Sequence, residues 1–177
     1  MASPVGHAMV GIATAAVVAR AIEAPLTAPL WIGAFIASGI PDLDLALAAF
    51  GLKGPRFHRN LSHSLPLLGL LALGAWLAVS PVPAIGESGM FWAWCGALFS
   101  HPLVDVLTTG PNHGARGYGI PFLWPLSSRR WFLQRPILET ADFEACRSVG
   151  DVWEGIRPEV YRIGPVALVV FVLAVFV

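Results

Sequence analysis

Residues 60–86 read NLSHSLPLLGLLALGAWLAVSPVPAIG, a run of 27 residues without Lys, Arg, Asp or Glu. A transmembrane helix needs about 20 mostly apolar residues, so this run is long enough to cross a bilayer. Four further runs also lack these four residue types, and they lie at residues 2–19, 24–40, 88–104 and 163–177. The sequence therefore predicts an all-α fold, that of a polytopic helical membrane protein.

The composition favours lipid over water as the main solvent. Hydrophobic residues make up 56% of the chain and charged residues 12%, whereas soluble domains carry about 25% charged residues. The formal net charge is zero, so there is no basic surface of the kind that binds nucleic acid, and we expect no nucleic-acid partner. Cys95 and Cys146 form no CxxC pair, and we expect no disulfide framework.

We predict about five hydrophobic helices within a single domain that spans residues 1–177, and they cover residues 6–23, 28–50, 63–81, 89–109 and 160–177. A cleaved signal peptide is the less favoured interpretation of the first run, because its first cation, Arg20, follows the apolar residues instead of preceding them. The last run is short and depends on the flanking Tyr161 and Arg162 at the membrane interface.

A polar segment, residues 110–159, precedes the last hydrophobic helix. Its start is rich in Gly and Pro, which predicts a loop. Residues 127–132 combine Arg129 and Arg130 with aromatic side chains, a pattern typical of a segment that lies on a membrane surface. Residues 139–157 are expected to form a short polar helix.

The cations of the chain predict its orientation. With five crossings, the N-terminal end, the loop 51–62 and the segment 110–159 share one side of the membrane. Of the 11 Lys and Arg residues, all but Arg20 fall on that side. The positive-inside rule then makes it the cytoplasmic side of an inner membrane.

Seven ionisable residues lie within or beside the hydrophobic runs, where such residues are costly and commonly functional. They are His7, Asp42, Asp44, His58, His63, His101 and Asp105. On the predicted topology all seven converge on the cytoplasmic ends of four helices. Imidazole and carboxylate together favour Zn²⁺, Mn²⁺ or Fe. Three or four ligands satisfy one catalytic zinc, so a set of seven indicates two neighbouring metals.

The local sequence assigns further roles around this set. His101 and Asp105 are four residues apart and share a helix face. Pro41 disfavours a regular helix at Asp42 and Asp44, so both carboxylates can turn inward, and Asp44 is predicted to be a ligand or a general base. Arg59 suits a substrate phosphate, with a purely topological role equally open, and His113 is a weaker candidate for the site.

The order of these motifs resembles one membrane-protein family. His7, PDLD at 41–44, HRNLSHS at 58–64 and SHPLVD at 100–105 are similar to the pattern of the YdjM/YbcI-type inner-membrane metal-dependent hydrolases. That pattern has a His near the start, PDxD, HRxxTHS and HxxxD, so Ser62 stands where the family usually has Thr. The resemblance covers roughly residues 1–125. It implies a metal-dependent hydrolase, and binding to LexA is also ascribed to the family, although no feature of this sequence indicates a protein partner.

We therefore expect a hydrolase that cleaves a phosphoester of a lipid or lipid-linked substrate, with one or two divalent ions as cofactor and membrane lipids as partners. The ligand types are similar in kind to those of zinc-dependent phospholipase C. Two alternatives remain. An ion- or proton-handling protein would spread its ionisable groups through the bilayer, and a membrane scaffold would close a structural zinc with four protein ligands.

Overall fold

The structure, a computed structural model, describes residues 2–44, 61–86, 88–110, 119–138 and 148–177. Within these ranges the chain forms helices α1 Pro4–Ala21, α2 Ala28–Gly39, α3 Leu65–Val79, α4 Pro83–Gly86, α5 Met90–Thr108 and α6 Val149–Phe176. The β-type pairing in the described part is an isolated antiparallel bridge between Ile120 and Trp131. The predicted all-α membrane fold is confirmed.

Three of the helices, α1, α5 and α6, are long and apolar enough to cross a membrane. Helix α3 is equally apolar but has 15 residues. Helix α2 ends at Gly39, and a tight 3₁₀ turn follows through residue 44, so the helix stops well before the predicted limit of residue 50. Pro41 accounts for this end, because it lacks the N–H that a continuing helix would use. Residues 45–50 lie outside the described ranges.

Helix α6 differs from the prediction of a polar helix followed by a separate hydrophobic one; residues 139–147 of the predicted polar helix lie outside the described ranges. Helix α6 runs without interruption from Val149 to Phe176, although Pro158 and Pro165 lie inside it. Its start is fixed by a capping box, in which Ser148 and Asp151 each accept a hydrogen bond from the backbone N–H of the other. Proline is tolerated within membrane helices where neighbouring groups compensate for the lost bond, and α6 packs against α1.

Small residues allow the helices around α1 to approach closely. A Cβ atom on Gly11 of α1 would lie 2.4 Å from the Cβ of Ser38 on α2, and one on Gly33 of α2 would lie 2.2 Å from the Trp94 ring on α5. Trp94 also donates its indole N–H to the carbonyl of Leu30, at 3.0 Å. Because lipid supplies no hydrophobic drive between helices, such close packing is the usual source of their association. It fixes α1, α2 and α5 as one unit.

Residues 119–138 return to one end of this helical unit. The Leu65 N–H at the start of α3 donates to the Phe122 carbonyl at 2.8 Å, and the Ile137 N–H donates to the Leu107 carbonyl near the end of α5 at 2.9 Å. Ile120 and Leu138 in this segment are buried. This segment therefore lies beside the end of the molecule where α3 begins and α5 finishes.

Candidate metal centre

Five of the predicted ligand residues meet at this same end. His7 lies at the end of the first turn of α1, Asp42 in the turn after α2, and His63 two residues before α3. His101 and Asp105 share one face of α5, one turn apart. The side chains of His7, His63, His101 and Asp105 are 1% exposed or less, and Asp42 is 12% exposed. Asp42 is therefore the least buried of the five side chains.

The potential ligand atoms lie at the mutual distances expected of neighbours around a metal. His63 Nε2 is 3.1 Å from Asp105 Oδ2 and 3.2 Å from His101 Nε2. Asp42 Oδ1 is 3.7 Å from His63 Nε2 and 3.4 Å from His101 Nε2. His7 Nε2 is 3.3 Å from Asp105 Oδ1. Two donors at 2.0–2.1 Å from a tetrahedral zinc are themselves roughly 3.3–3.4 Å apart, so these separations fit a shared cation.

Several of these buried atoms have no hydrogen-bond partner among the described residues: both ring nitrogens of His7, Oδ1 of Asp42, and both carboxylate oxygens of Asp105. Buried polar atoms without partners are rare in folded proteins, since each costs about 1–3 kcal/mol. Their concentration at one point is explained if they bind a cation. The donor set of imidazoles and carboxylates suits Zn²⁺, Mn²⁺ or Fe.

Charge leads to the same conclusion. Asp42 and Asp105 are close to the same histidines, and in the described part of the chain their ion-pair contacts are to His7, His63 and His101. Two ionised carboxylates among neutral imidazoles would leave a buried net charge of −2, which is strongly unfavourable at low dielectric. One divalent cation balances that charge without protonating any of the five residues.

The orientation of His101 leaves one nitrogen for the cluster. Its Nδ1 lies 2.6 Å from the Ser38 carbonyl oxygen, which can only accept, so Nδ1 carries the proton and donates. Its Nε2 then presents a lone pair toward Asp42 and His63. The His7 ring stacks on the His101 ring, with centroids 3.5 Å apart and planes inclined by 7°. A hydrogen bond to a backbone carbonyl is a common means of orienting a metal-binding histidine.

The candidate ligands separate into two groups of three that share His101. One contains His7, His101 and Asp105, and the other contains Asp42, His63 and His101. Since the Nδ1 of His101 is occupied by Ser38, this residue offers one nitrogen to both groups. Asp105 presents Oδ1 to His7 and Oδ2 to His63. Its carboxylate therefore contacts one histidine of each group.

The other predicted site residues have different places. Asp44 belongs to neither group of three; its carboxylate accepts a hydrogen bond from Ser62, which lies next to His63. His58, Arg59 and His113 lie outside the described residues. Arg129, predicted for the membrane surface, stacks its guanidinium over the Trp131 ring at 4.5 Å. Arg130 donates to the Gly119 carbonyl at 3.1 Å, and partial burial lowers its pKa from the usual value.

Sequence reasoning missed a buried carboxylate that supports the site from α6. Glu159 is fully buried. It accepts the Ser3 backbone N–H at 2.7 Å and also the Ser3 hydroxyl hydrogen bond. The Ser3 hydroxyl in turn caps α1 by accepting the Gly6 N–H at 3.1 Å, and the Ser3 carbonyl accepts the His7 N–H at 3.0 Å. Glu159 therefore ties α6 to the helix turn that carries His7. The sequence feature that is consistent with this contact is Gly6, because a Cβ at that position would lie 2.5 Å from the Glu159 carboxylate.

Comparison with known proteins identifies the family of the chain. The family described as YdjM inner membrane protein matches residues 1–177. The chain is also 31% identical over 119 residues to the inner membrane protein YbcI of Escherichia coli strain K12. That match covers 61% of this chain and 60% of the relative, so the two share somewhat less than two thirds of either length. No solved structure matches the chain. The resemblance inferred from the motifs is thus confirmed, and this chain belongs to the YdjM family of inner membrane proteins.

Proposed function

We propose that the chain is a metal-dependent hydrolase that acts at the membrane surface. The observation that carries the proposal is the cluster of His7, Asp42, His63, His101 and Asp105, whose ligand atoms approach within 3.1–3.7 Å. A purely structural zinc needs four closed protein ligands. Five residues, of which Asp42 is partly exposed, exceed that need and leave a side open to substrate.

A divalent metal, Zn²⁺ for preference with Mn²⁺ or Fe as alternatives, would polarise a phosphoryl oxygen and lower the pKa of a bound water to about 7. The protein's own groups serve the remaining tasks. His101, oriented by the Ser38 carbonyl, would hold the ion together with His63 and the carboxylate of Asp105. Asp42, the accessible carboxylate, is placed to accept a proton from an attacking water. Arg59 is proposed for the substrate phosphate on the sequence pattern alone.

The proposed substrate is a phosphoester of a lipid or a lipid-linked molecule, approached from the cytoplasmic side. Support comes from the position of the cluster at the ends of membrane-spanning helices and from the adjoining segment 119–138. In that segment Leu126 is 81% exposed, and Leu123 and Trp131 are also exposed beside Arg129. Exposed apolar and aromatic side chains with a cation are suited to the headgroup boundary. A substrate anchored by its tails would reach the cluster without leaving the membrane.

The metal can be tested on the protein purified in detergent. We expect one or two equivalents of a transition metal in the wild-type protein by elemental analysis. His63→Ala and Asp105→Ala should lose most of it, whereas Glu154→Gln, a change of an exposed carboxylate on α6, should retain it. A wild-type protein that takes up no stoichiometric transition metal, even after incubation with Zn²⁺ or Mn²⁺, would contradict the proposal.

The substrate class can be tested with two phosphate monoesters that share one headgroup. One, a diacylglycerol phosphate, has two acyl chains, and the other, glycerol phosphate, has none. In a lipid nanodisc the metal-loaded protein should release phosphate from the first at least about tenfold faster. Equal turnover of both compounds would contradict the proposed lipid preference but would still support hydrolase activity. Metal binding without hydrolysis of either compound, or of a phosphodiester lipid, would favour the scaffold.

A further inference from the structure

A single hydroxyl group joins His63 to a carboxylate outside the cluster. Ser62 Oγ lies 2.9 Å from His63 Nδ1, on the side of the ring opposite to the cluster. The same hydroxyl donates a hydrogen bond to Asp44 Oδ2. Asp44 lies in the turn that follows α2, and Ser62 lies shortly before α3. The contact therefore connects these two parts of the chain at the level of the candidate ligands.

The chemistry of a hydroxyl fixes the direction of both hydrogen bonds. Serine has one hydrogen to donate and two lone pairs with which to accept. An ionised carboxylate can only accept, so the hydrogen of Ser62 is committed to Asp44. Ser62 can then only accept from His63, which places the imidazole proton on Nδ1. The lone pair of a neutral His63 is thereby left on Nε2, the atom 3.1 Å from Asp105 and 3.2 Å from His101.

This arrangement differs from that of His101, whose Nδ1 donates to a backbone carbonyl. The orientation of His101 is built into the fold of α2 and does not depend on a side chain. That of His63 depends on two side chains, Ser62 and Asp44, and can be removed by substitution. Carboxylates that orient a metal-binding histidine from behind typically contribute 10- to 100-fold in metal affinity.

We infer that Asp44 and Ser62 are positioning residues, a carboxylate–hydroxyl relay that holds His63 with its Nε2 lone pair toward the metal centre. The inference rests on the proposed metal centre and deepens it. It gives Asp44 a role behind the ligands, in place of the ligand or general base expected from its sequence motif. It also explains a hydroxyl residue at position 62, since Ser and Thr can both donate to Asp44 while accepting from His63.

The test is a competition titration that measures Zn²⁺ affinity against a chelator in detergent. We expect Ser62→Ala to weaken binding by about 10- to 100-fold and Ser62→Thr to stay within about threefold of wild type. Ser100→Ala is the matched control, because Ser100 also directly precedes a candidate histidine ligand but its hydroxyl donates to the Ala97 carbonyl within its own helix. It should change Zn²⁺ affinity by less than about threefold. Wild-type affinity in Ser62→Ala would overturn the inference.

A double-mutant cycle separates a relay from a ligand. If Asp44 acts through Ser62, the variant Asp44→Ala/Ser62→Ala should bind Zn²⁺ no more weakly than the weaker single variant. If Asp44 binds the metal itself, the two losses should multiply, and the relay would be wrong. Asp44→Asn adds a check that needs no change at Ser62. Asn keeps an oxygen that can accept from Ser62, so the relay predicts a smaller loss than for Asp44→Ala, while equal losses would contradict it.

Spectroscopy gives a readout that is independent of affinity. In the Zn²⁺-loaded protein, ¹⁵N NMR should show His63 protonated at Nδ1. The ¹⁵N chemical shift of this nitrogen should change in Ser62→Ala but not in Ser100→Ala. The outcomes also separate this inference from the proposed function. A wild-type protein without metal affinity would contradict the metal centre, whereas a wild-type protein that binds Zn²⁺ and tolerates Ser62→Ala would contradict the relay alone.

Discussion

Helices α5 and α6 are both long and apolar enough to cross a membrane, yet their surroundings differ. The buried residues of α5 include polar ones, namely Ser100, His101, Asp105 and Thr108. Those of α6, the longer helix, are Gly155, Glu159 and Ala174. Most of the α6 surface is exposed and apolar, as expected for a helix that faces lipid. Burial of polar side chains, more than hydropathy, thus distinguishes the helix that builds a site from one that surrounds it.

The largest expected effect contrasts the carboxylates of the two helices. Asp105→Asn on α5 keeps the shape of the side chain but removes the negative charge and one metal-binding oxygen. We expect Zn²⁺ affinity to fall by more than about 100-fold, since loss of a supporting residue alone costs 10- to 100-fold. The measurement is the chelator titration, with Glu154→Gln on α6 as control. Similar losses of Zn²⁺ affinity in the two variants would contradict the proposed difference between α5 and α6.

The second effect concerns Glu159, the one charged residue among the buried residues of α6. Glu159→Ala would leave the Ser3 N–H and hydroxyl without their acceptor and loosen the turn that carries His7. We expect a loss of roughly 2–3 kcal/mol in stability, measured as thermal or denaturant unfolding in detergent. Glu159→Gln, which keeps an acceptor oxygen, should lose less. Unchanged stability in Glu159→Ala would show that α6 attaches to α1 by apolar contact alone.

A smaller effect compares one glycine on each helix. A Cβ on Gly96 of α5 would lie 2.9 Å from a methyl group of Val18, whereas one on Gly164 of α6 would lie 3.5 Å from the Met9 sulfur. Val18 is β-branched and stiff, so Gly96→Ala should destabilise the protein by about 1–2 kcal/mol. Gly164→Ala should be neutral or stabilising by up to about 1 kcal/mol, because Ala favours helix. The unfolding midpoint should therefore fall in Gly96→Ala but not in Gly164→Ala, and equal shifts would contradict the packing described for α5.

The smallest effect is expected at the ion pair between Arg157 and Glu154 on α6. The pair spans 3.2 Å, and its side chains are 53% and 64% exposed. Such pairs contribute little, since water screens the attraction and two flexible side chains must be ordered. Arg157→Ala should shift stability by less than about 0.5 kcal/mol, again by unfolding in detergent. A larger loss would mean that this part of α6 is more closely packed than its exposure indicates.

Much of the fold follows from the sequence because charge-free runs of this length have few structural solutions in lipid. The convergence of His7, Asp42, His63, His101 and Asp105 also follows from the predicted topology, in which alternating crossings bring every second helix end to the same face. The supporting contacts do not. Ser62 meets Asp44 across 18 residues, His101 meets the Ser38 carbonyl across 63, and Ser3 meets Glu159 across 156. Such pairs depend on how helices pack, which no local pattern encodes.

The continuous helix α6 shows a second limit. The change from polar to apolar residues predicts two helices, over residues 139–157 and 160–177, with Pro158 between them and Pro165 inside the second. The structure has no break at Pro158, because packing along α1 and the capping box at Ser148 stabilise one long helix. Proline therefore marks a weak point in the hydrogen bonding of a membrane helix without fixing where the helix ends.

We propose that imidazoles and carboxylates of four chain segments bind one metal centre. X-ray absorption at the metal edge of the Zn²⁺-loaded protein tests it most directly. We expect nitrogen and oxygen ligands at about 2.0–2.1 Å, outer-shell scattering from two or three imidazoles, and loss of one imidazole contribution in His63→Ala that has been reloaded with excess Zn²⁺. Sulfur ligation, or a spectrum without imidazole scattering, would contradict it.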